Sequence, residues 1–113
     1  MPHLVTAIIK PFKLDEVKEA LRAAGVLGLT VSEVQGYGRQ GGKSETFRGS
    51  EYKVEFVPKV KIEALVETAD ADRVIEAIAT AARTDKSGDG KVWAVSLVRV
   101  MRIRTGEFGD DAL

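Results

Sequence analysis

The sequence has no cysteine, one histidine, one tryptophan and no excess of charge of either sign. The missing cysteines exclude disulfides, zinc-thiolate sites and thiol catalysis together. The one histidine, His3, sits near the terminus and reads as a surface residue rather than a base. No serine has a histidine partner in view, so triad chemistry has no support, and the expectation is a protein that is not an enzyme. Lysine and arginine total 17, as do aspartate and glutamate. A neutral chain with a pI near 6.6 lacks the global positive field of a nucleic-acid binder. Long apolar runs are missing too. Met1-Pro2-His3-Leu4 leads straight into a short strand-like stretch, with no signal peptide or membrane span in view. The expectation is a soluble cytoplasmic protein with no nucleic-acid partner and no direct membrane insertion. At 113 residues it is one domain, 1–113, with one modest core.

What is present alternates between two periods. Leu4 to Ile9 is rich in branched residues and ends at Lys10-Pro11, which predicts a strand. Leu14, Val17, Leu21 and Ala24 recur at helical spacing, with Asp15 and Glu16 in the first turn and Gly25 as the C-terminal cap. Leu29 to Val34 predicts a second, weaker strand. From Lys53 to Val66 the period is two. Val54, Phe56, Val60, Ile62, Ala64 and Val66 share one face, and Lys53, Glu55, Lys59, Lys61 and Glu63 the other. Ala71, Val74, Ile75, Ile78 and Ala81 predict a second helix. Val92 to Ile103 predicts a last strand, apolar on both faces through Leu97. The order βαββαβ implies an α+β, ferredoxin-like fold. Two helices cover one sheet face only. The apolar second face of strands one and four therefore predicts burial against another copy of the chain.

Strands two and three should form a hairpin, yet residues 38–53 separate them, four of those 16 being glycine. Hairpin loops usually have about 2–5 residues, and loops of this excess are usually functional or disordered. Phe47 and Tyr52 speak against an idle flap. Two nucleotide motifs at its base fail. Gly36-Tyr37-Gly38-Arg39-Gln40-Gly41 matches G-x-G-x-x-G, but no helix is expected after it and Phe56 stands where an acid belongs. Gly42-Lys43-Ser44 resembles the end of a P-loop, but Tyr37 occupies the position of the first glycine.

A second loop, residues 83–91, runs Arg-Thr-Asp-Lys-Ser-Gly-Asp-Gly-Lys. Its glycines let backbone N–H groups approach an anion, and lysine adds charge. Arg102 and Arg104, two apart on an extended chain, would point the same way and repel without an anion between them. Arg39, Lys59, Lys91, Arg102 and Arg104 together supply charge for a polyphosphate, which a cleft between subunits could gather where one chain does not.

The segments Ala7–Leu14, Gly36–Gln40, Phe47–Tyr52, Val57–Glu63, Gly88–Lys91 and Arg102–Glu107 together resemble the PII nitrogen-regulatory signalling proteins, nearly end to end and in order. The resemblance implies a homotrimer whose clefts bind ATP or ADP competitively and, with ATP and Mg2+, 2-oxoglutarate. Arg39, the segment Gly88, Asp89, Gly90 and Lys91, and Arg102 with Arg104 would hold phosphates. Gly36, Tyr37 and Gly38 would wall the cleft, and Thr30 and Leu65 would lie near the adenine. Gln40 would ligate the magnesium. Lys59 would pair with a 2-oxoglutarate carboxylate, in a site completed by Gln40, Gly41, Gly42 and Gly88. The long loop would dock on an ammonium channel, which would recruit the protein to the membrane, and on other nitrogen-metabolism proteins, a nucleotidyltransferase included. Tyr52 falls at the family's nucleotidylation position and Ser50 at a phosphorylation position. Arg48 matches the arginine that enters the ammonium channel. Gly41 departs from a common lysine, Asp85 from a usual glycine and Ser87 from a usual apolar residue. Two rival readings are a related binder tuned to another small molecule, which the retained Gln40 and Lys59 oppose, and a slow ATPase, which the lack of a base opposes.

Overall fold

In a computed structural model of the chain, residues 1–37 and 55–113 are described. Strands and helices follow one another as β1 (His3–Ile9), α1 (Leu14–Ala23), β2 (Thr30–Gly36), β3 (Val57–Val66), α2 (Ala71–Ala82) and β4 (Gly90–Ser96). The four strands make one antiparallel sheet in the order β2-β3-β1-β4. This is the ferredoxin-like arrangement expected from the alternation of periods.

Local chemistry sets the helix ends. Pro11 opens a 3-10 turn over Pro11–Lys13 that runs into α1, where Asp15 and Glu16 occupy the first turn. At the other end Gly25 adopts φ +92°. Its N–H bonds to the Arg22 carbonyl at 3.0 Å, and the Val26 N–H bonds to Leu21 at 3.0 Å. That pair of bonds is the Schellman stop, with Val26 packed back on the core. Val17 and Leu21 of α1 and Val74 and Ile78 of α2 face Val5, Ala7 and Ile9 of β1 and Val60, Ile62, Ala64 and Val66 of β3 in one buried cluster. Each Val, Leu or Ile side chain among them contributes roughly 1.5–3 kcal/mol by leaving water.

Strand boundaries differ from expectation in several places, β1 and β4 beginning at His3 and Gly90 rather than Leu4 and Val92. β2 runs Thr30–Gly36, two residues past Val34. β3 begins at Val57, so Glu55 and Phe56 precede it, and Lys53 and Val54 lie outside the described residues. β4 ends at Ser96 instead of continuing to Ile103. The reason is pairing: Ser96 sits opposite His3, the first residue of β1, and Leu97 N–H meets the Pro2 carbonyl at 3.0 Å. Beyond that point β1 offers no partner. The chain instead folds on itself, with Met101 bridging Phe108 and Arg102 N–H bonding to the Glu107 carbonyl at 2.9 Å.

Both helices lie on one side of the sheet. The opposite side carries Leu4, Thr6 and Ile8 of β1, Lys61, Glu63 and Leu65 of β3, and Trp93 and Val95 of β4. Leu65, Trp93 and Val95 remain 41%, 43% and 47% exposed in the single chain.

Candidate functional site

The segment between α2 and β4 holds the densest polar network among the described residues. Three of its residues take positive φ: Asp85 (69°), Gly88 (89°) and Gly90 (106°). Such angles suit glycine and are tolerated by aspartate, which is why a glycine at position 85 would also fit. Asp89 is the hub. Its carboxylate accepts the Thr84 N–H at 2.7 Å, the Asp85 N–H at 2.9 Å and the Thr84 hydroxyl. Lys10, at the end of β1, lies 3.3 Å from the same carboxylate and donates to the Thr84 hydroxyl at 3.2 Å. The Thr84 hydroxyl, then the Thr84 amide, and less strongly Lys10 and the Asp85 amide hold the Asp89 carboxyl far below the usual carboxylate range.

Lys59 joins this cluster from β3. Its period-two position predicts a solvent face, but the residue is 7% exposed. The alternation is right and the exposure is not, because the 83–91 segment folds over the end of the strand. Lys59 Nζ donates to the Gly88 carbonyl at 2.5 Å. Burial first, then the Lys10 ammonium, pulls its pKa below the usual 10.5, against the opposing pull of Asp89. The cluster thus joins two ammonium groups to one carboxylate. Lys10 is engaged by that carboxylate, and Lys59 has no ion-pair partner among the described residues. A buried cation in this state suits an incoming anion.

At the far end of the sheet is a cavity of about 660 Å³. Thr30 of β2 and Leu65 of β3 both line it, together with Gly28, Leu29 and the tail residues Asp110 and Leu113. Leu65 and Lys59 lie on one face of β3 six positions apart, roughly 20 Å at about 3.3 Å per residue. The open sheet face, with Glu63 and Lys61 between, connects the cavity to the cationic cluster.

The remaining expected site residues divide three ways. Gly88 meets Lys59 through its carbonyl, Asp89 next to it anchors the loop, and Gly90 and Lys91 lead from there into β4. Arg102 and Arg104 do not join them within the chain. They lie in the turn closed by the Gly106 N–H to the Arg102 carbonyl at 2.8 Å, not side by side on a strand. The Arg102 guanidinium instead bonds to Glu107 Oε1 at 3.2 Å and to the Leu113 carbonyl at 2.6 Å. Gly36 closes β2, and Tyr37 just beyond it packs edge-to-face on Phe56 with ring centres 5.8 Å apart. Gly38, Arg39, Gln40, Gly41, Gly42, Arg48, Ser50 and Tyr52 lie outside the described residues. His3 is half-buried rather than on the surface, its Nδ1 3.2 Å from the Thr68 hydroxyl. Two participants were not foreseen, Lys10 and Thr84. Neither has a spacing signature, since they meet Asp89 only through the fold.

The family model described as "Nitrogen regulatory protein P-II" matches residues 2–107. The "Nitrogen regulatory protein P-II" of Rhodobacter capsulatus is 60% identical over 109 residues, spanning 96% of this chain and 97% of its own. The "Nitrogen regulatory protein GlnK" of Escherichia coli strain K12 is 54% identical over 110 residues, spanning 97% and 98%. Among solved structures, Arabidopsis thaliana PII bound to citrate superposes with a TM-score of 0.81 at 36% identity, over 99% of this chain and 92% of that one.

Proposed function

This chain belongs to the nitrogen regulatory protein P-II family, and from that premise we propose that it senses ATP, ADP and 2-oxoglutarate and passes their state to partner proteins. It is a regulator rather than an enzyme in this reading, in keeping with its relatives' names, each a "Nitrogen regulatory protein". One observation supports the sensing role most: a glycine-bearing loop and the buried Lys59 ammonium meet at one end of the open sheet face, and a cavity holding Thr30 and Leu65 lies at the other. In this reading the cavity takes the adenine and the amides of the 88–91 segment, with Lys91, take phosphates. Arg39 and Gln40 close the site from the long loop, with Gln40 on the Mg2+ that arrives with ATP. Lys59 exchanges the Gly88 carbonyl for a 2-oxoglutarate carboxylate, a charge-assisted bond in place of a neutral acceptor. The citrate in the Arabidopsis relative's title is a small polycarboxylate of related chemistry.

The assembly proposed is a homotrimer. Leu65, Trp93 and Val95 line a sheet face that the helices leave open, and a second copy is the simplest cover. Arg102 and Arg104, remote from the loop in one chain, would then reach the phosphates of a neighbouring site. The effectors act by linkage: each shifts residues 38–53 only by its differential affinity for their states. Ligand-dependent docking of that segment, through Arg48, would regulate an ammonium channel and nitrogen-metabolism enzymes, with the protein cytoplasmic and recruited to the membrane by the channel. Modification at Tyr52 or Ser50 would add negative charge and block docking.

Sedimentation should give three times the 12.2 kDa chain mass. Trp93, half-open in one chain, should emit as a shielded indole that acrylamide quenches poorly. ADP should displace ATP mole for mole, one per chain. A monomer with a fully quenchable Trp93, or ATP and ADP bound at once to a single chain, contradicts this reading.

A further inference from the structure

Asp89 poses a problem for an anion-binding loop, because a carboxylate there opposes the ligand. The geometry removes the conflict. Both carboxylate oxygens are turned inward, one onto the Thr84 and Asp85 amides at 2.7 and 2.9 Å, the other onto the Thr84 hydroxyl and the Lys10 ammonium at 3.3 Å. The Lys86 N–H adds a bond to the Thr84 hydroxyl at 3.2 Å. The result is a closed turn over residues 84–89, tied by Lys10 to the end of β1. Asp85 sits at φ 69°, a left-handed angle that aspartate tolerates, and its N–H is tied to the Asp89 carboxylate.

We propose that the Asp89 carboxylate is a positioning group: with Thr84 and Lys10 it clasps the 84–89 turn, so that the amides of the 88–91 segment and Lys91 face an anion, and the carboxylate does not itself touch the nucleotide. This rests on the nucleotide-sensing reading and adds a residue role to it. The clasp also assigns the two lysines. Lys10 is spent on Asp89, which leaves Lys59 for the ligand.

The two roles Asp89 could have predict opposite signs. If it were merely a negative charge near the phosphates, its removal would tighten ATP binding. If it positions the loop, its removal weakens binding although a repulsive charge is gone. The experiment titrates ATP by calorimetry into the intact protein and its Asp89→Ala, Thr84→Val and Thr84→Ser variants. It also follows exchange of the Thr84 and Asp85 amides by NMR without ligand. The expected result is about tenfold or greater loss of ATP affinity in Asp89→Ala and Thr84→Val, the size of a lost charge-assisted bond. Thr84→Ser keeps both donors and should stay within about twofold of wild type by the same measure. Exchange of the two amides should accelerate in Asp89→Ala while core amides of β1 and β3 stay protected. Equal or tighter ATP binding by Asp89→Ala overturns the proposal, as does unchanged exchange at Thr84 and Asp85. If the wild type binds no ATP, the sensing reading falls, and the ligand-free exchange data alone decide whether the clasp exists.

Discussion

Gly90→Ala is expected to yield little or no native protein. A Cβ built at this position would stand 1.8 Å from the Ile8 carbonyl oxygen, 2.9 Å from its carbon and 3.3 Å from Ile9 Cα. All three are backbone atoms, so no side chain can rotate away. Gly90 is also the residue paired with Ile9 at the start of β4, and it holds φ +106°. Relief requires β4 to separate from β1 at the point where the 83–91 loop enters the sheet. The steric and conformational terms together should cost more than ~3 kcal/mol, a large part of the ~5–15 kcal/mol available to a domain. Gly25 is the control. It too has positive φ (+92°), but a Cβ there would meet nothing within 4 Å. Gly25→Ala should therefore cost only about 1 kcal/mol. Urea midpoints followed by circular dichroism separate the two, and equal midpoints would contradict the close approach of β1 and Gly90.

Lys59→Met should strike 2-oxoglutarate binding selectively. The side chain is buried, its ammonium rests on a neutral carbonyl, and no carboxylate among the described residues pairs with it. Removing one partner of a buried charge pair costs about 2–4 kcal/mol, so 2-oxoglutarate affinity should fall about 30- to 1,000-fold. The loss should fall far less on ATP. Folding should survive, since an apolar chain of similar length replaces a buried cation. The variant also carries a pH signature. Lys59 holds its proton less readily in the folded chain than in the unfolded one. Between the lowered folded value and 10.5 the unfolded state binds more protons, so the wild type gains stability as pH rises. Relative to Lys59→Met, it should gain through that window. A constant stability difference across it, or intact 2-oxoglutarate binding, would remove Lys59 from the site.

The fold was legible because its signals are local. Leu14, Val17 and Leu21 at helical spacing, Gly25 as a stop, and Val60, Ile62, Ala64 and Val66 at period two all specify structure without distant help. What failed depended on partners remote in sequence. Alternation places Lys59 on the face away from the helices, but cannot show that Gly88, 29 residues on, closes over it. An apolar run from Val92 to Ile103 looks like one strand, yet its length is set by where β1 begins. Arg102 and Arg104 lost their common direction for the same reason. Asp89 is the clearest case in the site. Sequence marks it as an acid in a glycine-rich, basic loop, and only the turn around it shows its charge consumed by Thr84, Asp85 and Lys10. The resemblance to the family pointed to the loop without showing what holds it.

The measurement that bears most directly on nitrogen sensing is calorimetry of 2-oxoglutarate on the intact protein, with Mg-ATP, with ADP and with no nucleotide. Tight binding only with Mg-ATP is predicted, because in the proposed reading Mg2+ and Gln40 would complete a site that Lys59 alone would not make. Equal binding in all three conditions would contradict it.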